Sequence, residues 1–281
     1  MKVLYDLHAH THLSVCGQDD ATIENYVKSA KKNNLKVVGI ADHAWDKDIP
    51  FVDSMRRSKC AGDGESVINW YKAQPLEHCR EILPEIEKAN TDGVKFLFGG
   101  EVDYCEGVGA AITPEHAKQL DFMIVPNSHT HHLMDKTLYE PYRKHAEYML
   151  KATMEICTAP TAEFVTSLAH PFDAVCCPYP IDYIIDTIKD SELIEVFSAA
   201  AEKNIAAEIN ADCFYNTDIK NNCLFRVMLA AKQAGCKFTF GSDSHTDGHQ
   251  DIISVCGDVA DALGLSENDI LFYDKPELFV I

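Results

Sequence analysis

Residues 6–12 read Asp6-Leu7-His8-Ala9-His10-Thr11-His12, DLHAHTH, directly after the β-prone opening KVLYD of residues 2–6. Alternate side chains of a strand point to the same side. His8 and His10 therefore converge, with Asp6 on the same side one step deeper. Two convergent imidazoles begin a metal site. What the rest of the chain places beside them decides both the fold and the chemistry.

Six further short β-rich runs follow: KVVGIA (36–41), VKFLFGG (94–100), DFMIVPN (121–127), FVTSLA (164–169), IAAEIN (205–210) and KFTFGS (237–242). Helical periodicity separates several of them. TIENYVKSAKKNN begins on a Thr N-cap and ends in asparagines. PLEHCREILPEIEKA sets Leu76, Cys79, Leu83 and Ile86 on one face, and its Pro84 is expected to kink it. DYIIDTIKD, ELIEVFSAAAEKN and NNCLFRVMLAAKQAG follow the same pattern. Strands alternating with helices imply an α/β fold with a parallel sheet. About seven such units favour a barrel over an open sheet. The chain reads as a single barrel domain over 1–281, with a long insertion at 44–75 expected to act as a lid.

The 281 residues are 46% hydrophobic and 25% charged, an ordinary globular balance with enough chain for a full core. The formal net charge of −19 argues against non-specific binding to long nucleic acid or anionic membrane. No apolar run long enough to span a bilayer occurs, and the N-terminus lacks the apolar region of a secretory leader. The 11 cysteines are odd in number, scattered, and form no CxxC pair. A reduced, cytoplasmic setting is expected.

The ends of the strands carry the chemistry. The first leads to His8 and His10, the second to Asp42 and His43, the third to Glu101 and Asp103. The fourth leads to His129, His131 and His132, and the fifth to His170 and Asp173. The sixth carries Glu208 and Asn210; the seventh leads to Asp243, His245, Asp247 and His249. In a parallel barrel these ends share one face, where active sites are built. HAH thus belongs to a ring of ligands larger than one tetrahedral zinc requires. Two or three ions are implied, with Glu101 the best bridge between them. Imidazole and carboxylate suit Zn, Mn or Fe. Clustered ions of this kind suit phosphoester hydrolysis by metal-activated water.

DLHAHTH, GIADH, GGEVDY, NSH, LAHPFD and GSDSH occur in that order over residues 6–245. Together they resemble the PHP family, the polymerase and histidinol phosphatase superfamily of metal-dependent phosphoesterases. The resemblance implies a distorted seven-stranded (β/α) barrel with up to three ions. It would place His8, His10, Glu101 and Asp243 on a first ion, and Glu101, His129 and His170 on a second. His43 and His245 would hold a third. The family sets one more His or Asp ligand shortly after the first motif. Here that stretch is LSVCGQDDAT. Cys16 stands at the ungapped position, and Asp20, the harder oxygen ligand, is preferred. Asp6 is expected to orient a ligand imidazole.

The substrate is expected to be a small phosphorylated metabolite or nucleotide. The family's histidinol phosphatases carry a basic residue soon after the sixth strand. EINADCFYN has none, which points away from histidinol phosphate. Arg56 and Arg57, in the RRSK cluster of the insertion, are candidates to grip phosphate. Asn210 is a further candidate for substrate contact, and His131, His132, Asp173 and His249 are candidates for proton transfer. His78, His116 and His145 lie on helical stretches and are expected at the surface. Two alternatives stand beside hydrolysis of phosphate esters: a metal-dependent amidohydrolase and a non-catalytic metal-binding module. Amidohydrolases of this architecture typically add a metal-bridging lysine after strand four, where this chain has His129.

Overall fold

The computed structural model describes residues 1–44, 76–77, 79–90, 93–130, 134–175 and 177–273. The expected lid beyond Ala44, with Arg56 and Arg57, lies outside the described residues, as do His78, His131 and His132. Seven strands form one sheet: β1 (Tyr5–Ala9), β2 (Val37–Ile40), β3 (Lys95–Glu101), β6 (Phe122–Pro126), β7 (Ser167–Ala169), β8 (Ala206–Asn210) and β9 (Phe238–Gly241). A small antiparallel hairpin, β4 (Tyr104–Cys105) and β5 (Gly109–Ala110), follows β3. Each neighbouring pair in the large sheet is parallel. The two edges then meet. Asp243 N donates to His8 O at 2.8 Å and His10 N to Ser244 O at 2.8 Å, with a parallel bridge from Ala9 to Ser244. The result is a distorted seven-stranded (β/α) barrel.

All seven expected strands are present. The first is displaced: it runs to Ala9 rather than ending at Asp6, so His8 lies on the strand itself. Phe122 fills the barrel interior. A Cβ on Gly39 or Gly99 would lie 2.5 or 2.3 Å from its ring, so both strands use glycine to admit it.

The helices pack outside. In α1 (Ile23–Asn33), Thr22 Oγ1 accepts from Asn25 N at 3.3 Å, and Asn34 closes the far end in the left-handed region with φ 56°. Pro84 does not kink a long helix. A 3-10 turn, Cys79–Ile82, precedes α2 (Leu83–Ala89), and Pro84 sits in the first turn of α2, where its missing N–H costs nothing. The longest helix, α3 (Tyr142–Thr158), packs against α4 (Asp190–Glu202); Arg143 grips Glu192 with both guanidinium nitrogens. Two more long helices, α5 (Cys223–Gln233) and α6 (Ser254–Leu263), join the described layer, with four-residue helices at Pro114–Ala117, Asp182–Ile185 and Ala211–Phe214.

His145 on α3 departs from expectation. It is fully buried, in a stripe with Ala146, Met149, Ala152, Thr153 and Ile156. Its Nε2 lies 2.8 Å from Thr130 Oγ1, the residue after His129, and its ring meets Tyr139 edge-on. The stripe has helical period, but His145 and Thr153 make it look polar on paper.

Candidate metal centre

The C-terminal ends of the strands converge on Glu101, which is buried at the end of β3. Its two oxygens face different imidazoles. Oε2 lies 3.6 Å from His8 Nε2, 3.5 Å from His10 Nε2 and 3.4 Å from His43 Nδ1. Oε1 lies 2.9 Å from His170 Nε2 and 3.5 Å from His129 Nε2. Asp243, just past β9, places Oδ1 3.4 Å from both His8 Nε2 and His10 Nε2, and 3.7 Å from His245 Nε2.

Each of four rings is anchored by its other nitrogen. His8 Nδ1 lies 2.8 Å from Glu208 Oε1, and His129 Nδ1 2.7 Å from Asp103 Oδ1. His170 Nδ1 lies 2.6 Å from Ser128 Oγ, and His10 Nδ1 3.3 Å from Ser14 Oγ. An imidazole held on one nitrogen presents the other in a fixed direction, as metal-ligating histidines do. Glu208, Ser14 and Ser128 were not assigned this role from sequence. The signal available for Glu208 was its carboxylate at a strand end.

Two of the converging residues hold unusual backbone. Asp243 has φ 57° and His170 has φ 24°. Non-glycine residues in this region are strained by about 1–3 kcal/mol, and such strain collects at functional sites. Here it turns both side chains off the strand direction and into the cluster.

Among the described residues, five sets of three side chains place one donor atom each within 4.8 Å of one another. They are His8–His10–Asp243, His8–Glu101–His170, His10–His43–Glu101, His43–Asp103–His129 and His10–Cys16–His245. The overlapping sets have the donor chemistry and the extent to take two or three ions.

A model of the PHP domain matches residues 6–255. The chain belongs to the PHP domain family. It is 26% identical over 243 residues to a probable phosphatase of Proteus mirabilis, covering 85% of this chain and 78% of that one. A probable phosphatase of Thermoanaerobacter sp. is 27% identical over 248 residues, covering 87% and 80%. The solved structure of a histidinol phosphate phosphatase from Lactococcus lactis, complexed with zinc, L-histidinol and phosphate, superposes with a TM-score of 0.57 at 16% identity. That match covers 93% of this chain and 94% of the other, and the likeness is one of fold.

Within this PHP chain the charges are mutually balanced. Burial works against Glu101, but His129, His43 and His8 hold its carboxyl well below the usual range. Burial likewise opposes Asp243, and His8 and His10 hold it low. Burial pulls His8 down, but Glu208, Asp243 and Glu101 outweigh it and hold it well above its ordinary value. His170 rises to about 9 against burial because of Glu101. Burial and the neighbouring His245 press His10 to about 4, and burial presses His43 to about 3. A divalent cation binding here displaces imidazole protons, so its affinity rises with pH.

Three expectations need correction. Asp20 is exposed and stands apart from every donor set; it accepts from Thr246 Oγ1 at 2.8 Å and Asp247 N at 3.2 Å, bracing the loop after β9. Cys16, by contrast, shares a donor set with His10 and His245. His43 and His245 fall in different sets, since His43 leans toward Glu101 and Asp103. Asp6 touches no ring: it accepts from His8 N, Ser242 N, Ser242 Oγ and Gln250 Nε2, locking β1 to β9.

The remaining candidates take varied places. Asn210 is buried; its Nδ2 reaches Asp243 Oδ2 at 3.4 Å and Glu208 Oε2 at 3.3 Å, and its Oδ1 caps the turn at Ala211–Phe214. Its amide thus reaches a candidate ligand, Asp243, and the carboxylate that anchors His8. Asp173, three residues past His170, is pushed up to about 6 by burial. His249 Nε2 lies 3.3 Å from Asp212 Oδ1, which raises it.

Proposed function

We propose that this PHP domain protein hydrolyses a phosphate monoester of a small molecule on two or three divalent metal ions. Its class, a metal-dependent phosphoesterase, follows from family membership and the clustered donors. The single observation that carries the reading is Glu101, with one oxygen toward His8, His10 and His43 and the other toward His129 and His170. A carboxylate so placed spans two adjacent ion positions. Bound there, divalent ions supply Lewis-acid polarisation of a phosphoryl group and activation of water near neutral pH.

The chain's own residues do the rest. His8, His10 and Asp243 are assigned to one ion, His129 and His170 to its neighbour, with Glu101 shared. Glu208, Asp103, Ser128 and Ser14 hold the rings in line. Asp173 and His249 are the described candidates for the leaving-group proton, and His131 and His132 share that proposal. Arg56 and Arg57 are proposed to grip the phosphate, as part of the densest basic cluster of an acidic chain. The ions favoured are zinc, manganese or iron, from the imidazole and carboxylate donors.

The net charge of −19 supports a small substrate over a long nucleic acid. Asn210 is spent on Asp243 and Glu208, and ADCFYN after β8 offers no Arg or Lys, which favours a phosphate ester other than histidinol phosphate. Phosphate release from a panel of monoesters, with histidinol phosphate and model diesters included, tests this. Turnover of monoesters is expected; cleavage of diesters alone contradicts the monoesterase reading.

A further inference from the structure

Among the described residues, sulfur enters the donor sets at one end. Four of the five donor sets consist of imidazole and carboxylate, and His10–Cys16–His245 alone contains a thiol. His10 turns its Nε2 to the Glu101–Asp243 end, 3.5 and 3.4 Å away, while its Nδ1 lies 3.3 Å from Ser14 Oγ. Among the described residues, Cys16 and His245 occur in this donor set and in no other.

Cys16 Sγ lies 3.2 Å from Ser14 Oγ, and backbone contacts hold the loop around it. Gln18 N donates to His245 O at 2.9 Å, tying the two segments together. Gly17 N donates to Ser14 O at 3.1 Å, and a Cβ on Gly17 would lie 1.9 Å from Thr11 O, so only glycine lets the chain turn back directly after Cys16. Tyr26 OH bridges His10 O and Ser244 O at 2.7 and 3.0 Å, fixing the two strand ends that flank the site. Cys16 is half-buried and His245 is 33% exposed, so an ion here keeps open positions toward solvent or substrate.

We propose that Cys16 makes the His245 end of the cluster a thiolate–imidazole site, which takes zinc in preference to manganese, while the carboxylate end accepts either. Thiolate selects borderline and soft ions, whereas manganese favours oxygen ligands. The chain would then hold chemically distinct ions at its two ends. This inference rests on the metal cluster proposed above.

Cobalt(II) is the probe, because a thiolate on cobalt gives a near-ultraviolet charge-transfer band that imidazole and carboxylate do not. Chelated full-length protein is reloaded with cobalt, and the bound metal is counted alongside the spectrum. Wild type is expected to show the band. Cys16→Ser is expected to lose it together with one equivalent of cobalt, and Cys16→His to regain the equivalent without the band. Cys213→Ser, at a thiol beside Asp173 that belongs to none of the five donor sets, is expected to keep both. Cobalt bound without a band in wild type, or a band that survives in Cys16→Ser, overturns the assignment of Cys16 and leaves the cluster intact. Failure of wild type to bind cobalt at all overturns the cluster and this inference together.

Discussion

Glu208 Oε1 lies 2.8 Å from Nδ1 of His8, joining residues 200 positions apart, and its Oε2 accepts the backbone N–H of His170 at 2.6 Å. One buried carboxylate on β8 thus holds candidate ligands assigned to two different ions. Replacing Glu208 with Gln removes the charge that orients the His8 ring. Metal affinity is expected to fall about 10–100-fold, the usual cost of losing such a partner. Competition against a chelating dye measures it, with circular dichroism to show that the fold persists. An unchanged affinity contradicts the role.

Gly241 on β9 lets that pair exist. A Cβ there would lie 2.0 Å from Glu208 Oε1 and 2.6 Å from His8 Cβ. Gly241→Ala is expected to destabilise the protein by about 1–3 kcal/mol, as overpacking does, and to weaken metal binding as Glu208→Gln does. Thermal unfolding and the same dye competition report the two effects. Loss of stability with metal affinity intact contradicts the coupling.

The seven strands and the ligand-bearing ends were legible because apolar runs and polar strand ends are local signals. Position at the strand ends marks a ring of candidates, and the resemblance to the PHP motifs picks His8, His10, Glu101, His129, His170 and Asp243 from it. The anchors were less so. Glu208 reads as interior packing until the closing of the barrel brings it to His8. Cys16 and Asp20 compete on paper; the turn at Gly17 and the bond from Gln18 to His245 set Cys16 beside His245, and neither is a pattern of residue types. His145 looked exposed because its partner, Thr130, comes from another segment.

Glu101→Gln tests the shared carboxylate. It removes the one negative charge set between the two proposed ion positions and leaves a single acceptor oxygen. Bound metal is expected to drop by at least one equivalent, and turnover of the best monoester by about a hundredfold or more, which is about 2.7 kcal/mol of barrier. Metal counting on the purified variant, paired with steady-state kinetics, checks both. Full metal content with undiminished turnover contradicts the bridge.

His145 gives a pH dependence of stability. Burial lowers it from 6.5 to about 4 in the folded protein. Between these values the unfolded chain binds the proton and the folded chain does not, so stability falls as pH drops from about 6.5 toward 4. A His145→Gln variant, read by urea unfolding of metal-loaded protein, is expected to lose part of that slope. Identical slopes contradict the assignment of this share to His145.

The proposed reaction is hydrolysis of a phosphate ester on ions held around Glu101. Its most direct test is phosphate release by one preparation assayed three times: as purified, after chelation, and after reloading with manganese or zinc. The proposed reaction requires release that disappears with the chelator and returns on reloading. Release that persists in protein shown to be metal-free, or none from any ester by protein shown to be loaded, contradicts it.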